Sequence, residues 1–304
     1  MGYDLDEEVW HSVLTHAKAL VLHPEYDLIG AVDSRIQRVS SFEKIFSRPG
    51  FSIIENALGD LNPDMVVIAT PTNSHAVIME KVLSLCTPRA ILCEKPLAYK
   101  VTVANAMVEL CSLKGVDLLV NYPRRSDAAV QRVKSLVRDG DNLGAFEGVA
   151  RYGKGLIHNG THLLDMLTFW FGSSKVDHVM PQKKLLTGDI DGDIDFQLQF
   201  KSGRIEVESQ GLQSDVFNLQ IHSQAGILRY EAGGNDVTWQ SLLSQPTPIM
   251  RDFRMKNSMN RYQYEVYTDL ARRLRGQSTL LCSGAESLMS LSKANATLDI
   301  VRSK

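Results

Sequence analysis

Met65-Val66-Val67-Ile68-Ala69 is apolar at every position and has no polar face to offer to water. A strand of that kind is covered on both sides, as in parallel sheets flanked by helices. Leu28-Ile29-Gly30-Ala31-Val32 and Ala90-Ile91-Leu92-Cys93 have the same texture, and so has Leu118-Leu119-Val120 in the strand that opens at Asp117. Helical patterns lie between these runs. One ends at about Leu22 before His23-Pro24, one runs from Ala76 to Leu85, and one from about Thr102 to Lys114. Strands alternating with helices at this spacing form βαβ units and a parallel sheet.

After Asn121 the pattern changes. Asp195–Phe200 and Arg204–Ser209 alternate apolar and polar residues and are joined by the turn Lys201-Ser202-Gly203. Alternation belongs to an antiparallel sheet with one wet face. Helices over about 260–275 and 284–301 close the chain. The expected fold is α/β: a parallel-sheet domain over 1–121 and an α+β domain with a large open, mainly antiparallel sheet over 122–304. The last helices are free to pack back on the first domain. A chain of 304 residues has room for both.

A net charge of -2 gives no electrostatic case for nucleic acid or an anionic membrane. Cys86, Cys93, Cys111 and Cys282 form no CxxC pair and read as reduced core residues. No apolar run approaches the roughly 20 residues that span a bilayer. The acidic first residues lack the apolar centre of a signal peptide. The expected address is the cytoplasm.

Candidate chemistry clusters where strands end. Ala90–Cys93 runs into Glu94-Lys95-Pro96, and charges against a buried strand are costly unless something uses them. In open α/β sheets, ligands bind beyond the carboxyl ends of the strands. An ordinary strand-to-loop boundary with a surface ion pair reads the same locally. Asp33 ends the strand at 28–32 and suits a ribose 2′-hydroxyl, which favours NAD; Arg35 keeps NADP open. Thr70-Pro71-Thr72 suits a phosphate or a nicotinamide ribose, or a capping turn. Arg124 and Arg125 suit a phosphate or carboxylate on a substrate, or a solvated basic turn.

The densest cluster is Gly153-Lys154-Gly155-Leu156-Ile157-His158-Asn159-Gly160-Thr161-His162-Leu163-Leu164-Asp165. A helix starting near Gly160 places His162 and Asp165 on one face. That pair suits acid–base work, with the carboxylate orienting the imidazole. Capping of a helix by His162, or metal ligation by His158, His162 and Asp165, fits the same spacing.

In order along the chain, the strand ending in Asp33, Ile-Ala-Thr-Pro-Thr-Asn-Ser-His, Cys-Glu-Lys-Pro-Leu-Ala, Val-Asn-Tyr-Pro-Arg-Arg and Gly-Thr-His-Leu-Leu-Asp resemble the Gfo/Idh/MocA oxidoreductases. Within that family the chain looks most like members that modify sugars and nucleotide sugars. The resemblance implies a Rossmann domain and a nicotinamide cofactor, NAD or NADP, with Lys95 and His162 as the catalytic pair. It implies cofactor contacts from Asp33, Thr70, Pro71, Thr72, His75, Glu94, Lys95 and Asn121. Substrate contacts would come from Lys95, Arg124, Arg125, Asn159, His162 and Asp165. Family members often carry Asp or Asn four residues before the histidine. Here that position is His158, which takes the third catalytic place, with Asn159 beside it. The resemblance also implies a homodimer or homotetramer.

One departure stands out. A Rossmann site needs a first strand and a glycine-rich turn whose amides hold the pyrophosphate. The sequence opens at Met1-Gly2-Tyr3-Asp4, where only Gly2 could be a relic of that turn. The missing strand would leave those at 28–32 and 65–69 each with an unpaired edge. The reading taken forward is an N-terminally truncated NAD(P)-dependent dehydrogenase of a sugar or nucleotide sugar, its activity in doubt in this form. Filling of the gap by another segment or a partner subunit is the second reading. The third is a non-catalytic sugar-ligand-binding or assembly protein on the same fold.

Overall fold

A computed structural model describes residues 12–138, 142–180, 191–211, 213–243 and 249–303. The elements run α1 (His16–Leu22), β1 (Ala31–Val32), α2 (Ile36–Phe46), β2 (Gly50–Phe51), α3 (Ile54–Asp60) and β3 (Met65–Ile68). They continue with α4 (His75–Leu85), β4 (Ala90–Glu94), α5 (Val101–Leu113), β5 (Asp117–Asn121), α6 (Ala128–Val137) and β6 (Phe146–Tyr152). Then come α7 (Thr161–Phe171), β7 (Ser174–Val179), β8 (Phe196–Phe200), β9 (Gly203–Ser209), β10 (Phe217–Ser223) and β11 (Gly226–Glu231). β12 (Asp236–Leu243), β13 (Ile249–Arg254), α8 (Tyr262–Leu274), β14 (Cys282–Ser283) and α9 (Gly284–Arg302) complete the order.

The chain divides into two compact units. The first comprises Met1–Ala98, Thr102–Ser126 and Asn260–Ala285, and the second Tyr99–Val101, Asp127–Met259 and Glu286–Lys304. Each is therefore built from separate stretches of chain. The first unit carries a Rossmann-like parallel sheet, in which β3, β4 and β5 pair in parallel and β14 adds an antiparallel edge to β5. β4 is buried along Ala90–Cys93, as its unbroken apolar run predicts. α1 and α8 cover this sheet: Ala19, Leu20, Val266, Tyr267 and Leu270 close on Leu92 and Leu119. Arg273 on α8 also reaches Asp117 at the start of β5 with two hydrogen bonds, at 2.5 and 2.9 Å.

β1 pairs in parallel with β2, which makes a separate two-stranded sheet. The ladders are shorter than the apolar runs predict: β1 takes only the end of 28–32, and the second strand sits at Gly50–Phe51. Among the described residues β1 pairs only with β2 and β3 only with β4, so each keeps one edge unpaired. Gly2, the one candidate relic of a phosphate turn, lies outside the described residues.

The second unit is organised on an eight-stranded sheet in the order β13-β12-β11-β10-β6-β9-β8-β7. All its pairings are antiparallel except β6 with β9. Alternation holds here: Phe196, Leu198 and Phe200 on β8 and Ile205 and Val207 on β9 are buried. The other face carries cross-strand ion pairs such as Arg151–Glu208 and Arg204–Glu147. The core is rich in aromatics, with Tyr152, Trp170, Phe196 and Tyr230 fully buried. Burial of each such side chain stabilises by about 2–3 kcal/mol on area arguments. Cys93, Cys111 and Cys282 are buried and Cys86 is half-buried, all as free thiols. Among the described residues no helix is long and apolar enough to cross a membrane.

Candidate active site

In the first unit the strand ends bring the predicted residues to one side of the parallel sheet. Thr70 follows β3, Glu94 closes β4 and Asn121 closes β5, where Glu94 and Asn121 are register partners. The Glu94 side chain is fully engaged. Oε1 accepts from His16 Nε2 at 3.0 Å and from Asn121 Nδ2 at 2.7 Å, and Oε2 accepts from the Lys95 main chain at 3.2 Å. Burial pushes the Glu94 carboxyl up. The hydrogen bonds from His16 and Asn121 and the Lys95 ammonium outweigh it, so the carboxyl lies below its ordinary pKa. The peptide between Lys95 and Pro96 is cis.

The network closes on itself. Asn121 Nδ2 also donates to Gln263 Oε1 at 3.1 Å, and Gln263 Nε2 lies 3.2 Å from His16 Nδ1. The Tyr267 hydroxyl meets the same Nδ1 at 2.8 Å. Asn121 is buried, and among the described residues its Oδ1 has no hydrogen-bond partner. A buried carbonyl oxygen without a donor is costly and calls for one. That observation fits a ligand bearing N–H or O–H groups, such as the carboxamide or ribose of a nicotinamide dinucleotide.

Other predicted cofactor residues serve the loops. His75 is fully buried, with Nε2 2.8 Å from the Thr70 carbonyl oxygen and Nδ1 3.2 Å from that of Leu97. It braces the loop after β3 against the one after β4. Thr70 Oγ1 accepts from Ser74 at 2.9 Å; Pro71 is exposed and Thr72 half-buried in the short turn before α4. Asp33 is clamped by Arg35, whose amide, Nε and Nη2 donate to its carboxylate at 3.0, 3.1 and 3.2 Å. Those hydrogen bonds hold the Asp33 carboxyl below its ordinary pKa. The arginines after β5 differ from a solvated basic turn: Arg125 is buried and Arg124 half-buried.

In the second unit the predicted cluster has a defined backbone. Lys154 and Gly155 both have positive φ, at 62° and 84°, and turn the chain into a wide π-type turn over Leu156–Gly160. Such turns recur at functional positions. α7 then starts at Thr161, close to the predicted start, and is buried along its whole length. His158 is exposed, Asn159 half-buried, and His162 and Asp165 are buried. Asn159 donates to the Gly153 carbonyl at 3.0 Å, which ties the turn to its own entry.

One carboxylate holds this turn from a distance in sequence. Asp191 accepts the main-chain N–H groups of Ile157, His158 and Gly192 at 2.7, 3.0 and 2.7 Å. Burial pushes the Asp191 carboxyl up against these bonds. Gly155 is required here, because a Cβ would collide with the Asp191 carboxylate and its φ is positive. On α9, Lys293 donates to Thr168 Oγ1 of α7 at 2.9 Å. Burial lowers Lys293 to about 8, while the Asp165 carboxylate pulls it back up. Among the described residues no group of three or more His, Cys, Asp or Glu is gathered to hold a metal, so His158, His162 and Asp165 do not form a ligand set.

The sequence gives little notice of four of these groups. His16, Gln263 and Tyr267 sit in ordinary helical patterns, and only pairing across the fold assembles them. Lys293 looks like any lysine on a terminal helix. Asp191 had a signal, since Asp191, Asp193 and Asp195 alternate ahead of an apolar strand.

A family model described as an oxidoreductase family with an NAD-binding Rossmann fold matches residues 13–122. The chain is 25% identical over 274 residues to an inositol 2-dehydrogenase of Rhizobium meliloti, covering 79% of each chain. Other curated relatives match over 21% to 58% of their own length. Among solved structures, an aldose-aldose oxidoreductase from Caulobacter crescentus complexed with glycerol is similar with a TM-score of 0.79 and 18% identity, over 95% of this chain and 93% of that one. The WlbA dehydrogenase from Bordetella pertussis in complex with NADH and UDP-GlcNAcA gives a TM-score of 0.74 and 19% identity, over 94% and 92%. At these identities the likeness to solved structures is one of fold.

Proposed function

We infer that this chain is a member of the Gfo/Idh/MocA family of NAD(P) oxidoreductases and that it acts on a hydroxyl-bearing carbon of a sugar or nucleotide sugar. The observation that carries the reading is Asn121 Oδ1, a buried acceptor held out by Glu94 and Gln263 at the carboxyl end of the parallel sheet. Sugar, inositol and nucleotide-sugar dehydrogenases among the relatives support the substrate class.

When bound, the nicotinamide supplies the hydride acceptor or donor. Asp33 and Asn121 would hold the dinucleotide, the first through its carboxylate and the second through its amide oxygen. Lys95 leaves β4 on a main chain fixed by Glu94 and is the group we assign to the substrate hydroxyl. Its side chain hydrogen-bonds the oxygen, and one of the pair Lys95 and His162, as the unprotonated amine or imidazole, takes the proton as that carbon is oxidised. His162 on α7 is the second member of that pair, with Asp165 one helical turn on to orient its ring. Asn159 and the exposed His158 on the π-type turn are assigned to substrate hydroxyls.

The test begins with NADH binding to this chain, read by fluorescence transfer. NAD+ reduction is then followed with myo-inositol, D-xylose, D-apiose and UDP-N-acetylglucosamine. Saturable binding and turnover of one of these, abolished in Lys95→Ala with an unchanged unfolding midpoint, is the expected result. A chain that does not bind NADH, or a Lys95→Ala variant with native turnover, would overturn the reading.

A further inference from the structure

We propose that His16 is a positioning residue that holds the Glu94 carboxylate, and through it both the Lys95 main chain and the Asn121 amide, in the orientation the nicotinamide half of the cofactor needs. The proposal rests on the dinucleotide reading of this strand-end site. Nothing in the local sequence around His16 marks it; the evidence is the direction of hydrogen bonding around the ring.

An ionised carboxylate only accepts. Glu94 Oε1 faces His16 Nε2 at 3.0 Å, so Nε2 carries a hydrogen. Gln263 Nε2, which can only donate, faces Nδ1, and this makes Nδ1 the acceptor. Nδ1 is met by the Tyr267 hydroxyl at 2.8 Å and by Gln263 Nε2 at 3.2 Å, both of them donors. Burial raises the Tyr267 hydroxyl far above its ordinary pKa, so it keeps its hydrogen. With its amino group turned to His16, Gln263 offers Oε1 to Asn121. The two hydrogens of Asn121 Nδ2 are then spent on Glu94 Oε1 and Gln263 Oε1. A flipped Asn121 would set its oxygen against two acceptors. The orientation of its amide is thus fixed from two sides, and Oδ1 is the acceptor left for a ligand.

Glu94 is the hinge of this arrangement, because it touches His16, Asn121 and the Lys95 amide at once. Without the His16 donor the carboxylate keeps one side-chain partner on Oε1 and is free to rotate toward the Lys95 ammonium. That rotation would withdraw the acceptor that fixes Asn121 and the one that fixes the Lys95 main chain. His16 reaches none of the proposed ligand groups itself and acts only through Glu94 and Gln263.

Two variants of His16 separate its two sides by length. A glutamine reaches as far as Nε2 and keeps a donor for Glu94. An asparagine reaches only as far as Nδ1, keeps an acceptor for Tyr267 and Gln263, and leaves Glu94 without its donor. The probes are NADH and ADP-ribose, which lacks the nicotinamide, titrated against the full chain and both variants with unfolding midpoints measured alongside. His16→Asn should weaken NADH roughly ten- to a hundredfold, the scale of one lost hydrogen bond to a charged group. ADP-ribose should change by less than about threefold, and His16→Gln should restore NADH binding to within about threefold of native. Equal losses for NADH and ADP-ribose would mark general damage and overturn the proposal, as would identical behaviour of the two variants or native affinity in both. Failure of the unsubstituted chain to bind NADH would remove the dinucleotide reading itself. Native NADH binding with an insensitive His16 would remove only this proposal.

Discussion

Asp191 accepts the main-chain N–H of His158 at 3.0 Å, across 33 residues of sequence. With the N–H groups of Ile157 and Gly192 on the same carboxylate, it caps the turn that presents His158 and leads into the helix of His162. Asp191→Ala leaves buried donors unsatisfied and should cost about 2–3 kcal/mol in urea unfolding, more than an ordinary helix cap. Gly155→Ala forces a Cβ into the same carboxylate and should cost a similar amount. Because both act on one contact, the double variant should lose clearly less than the sum of the two. Additive losses would show that the turn and the carboxylate are independent.

The Glu94 carboxyl is held below its ordinary pKa, which fixes the sign of a pH effect. Its folded form is favoured as the carboxylate, so the stabilisation is present above the unfolded value of about 4.3 and is lost as pH falls through the depressed folded value. Glu94→Gln should therefore be less stable than native at pH 6–7, and the two unfolding curves should converge in the acid range. A gap that persisted at pH 3 would assign the loss to packing.

Arg35 spends its amide, Nε and Nη2 on Asp33, so the carboxylate and the guanidinium neutralise each other at the end of β1. Asp33→Ser removes the charge that repels a 2′-phosphate and frees the guanidinium to pair with one. The ratio of NADPH to NADH affinity should rise by roughly tenfold or more, the scale of one charge-assisted contact. Arg35→Ala should leave NADH binding nearly intact and lower NADPH binding. Fluorescence titration of both cofactors against the three proteins checks this.

The parallel sheet was legible because both faces of β4 are covered, which leaves no polar position in Ala90–Cys93; β3 has the same apolar run, although Met65, Val66 and Val67 are only half-buried. The large sheet was legible from its opposite property, one wet face, seen in Phe196, Leu198 and Phe200. Motif order carried Glu94, Lys95, Asn121 and the His162 helix, because a strand end and a helix start are local events. His16, Gln263, Tyr267 and Lys293 were not legible: each matters through a partner far along the chain, as in the 247 residues between His16 and Gln263. That the last helices could pack back on the first domain was open from the sequence, but not which residues would do so. Val266 and Leu270 look like any amphipathic helix until they meet Leu92 and Leu119. Arg125 was misleading in the other direction, since a basic turn reads as solvated and this arginine is buried.

Lys293 sits half-buried against α7, with its ammonium on Thr168 and the Asp165 carboxylate nearby. Burial lowers its pKa from 10.5 to about 8, so between those values the unfolded chain binds more protons than the folded one. Stability must then rise with pH across that window, because the cost of burying the ammonium is present below about pH 8 and is relieved as the amine loses its proton. Cys93 and Cys111 work the other way: burial raises both thiols, and their contribution falls as pH rises above the ordinary thiol range. The whole-protein curve mixes these terms, but the difference between native and Lys293→Met isolates the lysine. Measured by thermal unfolding from pH 7 to 10.5, that difference should change in favour of the native chain as pH rises and level off near the top of the range. A difference that stayed flat would mean that Lys293 is solvated in the folded protein.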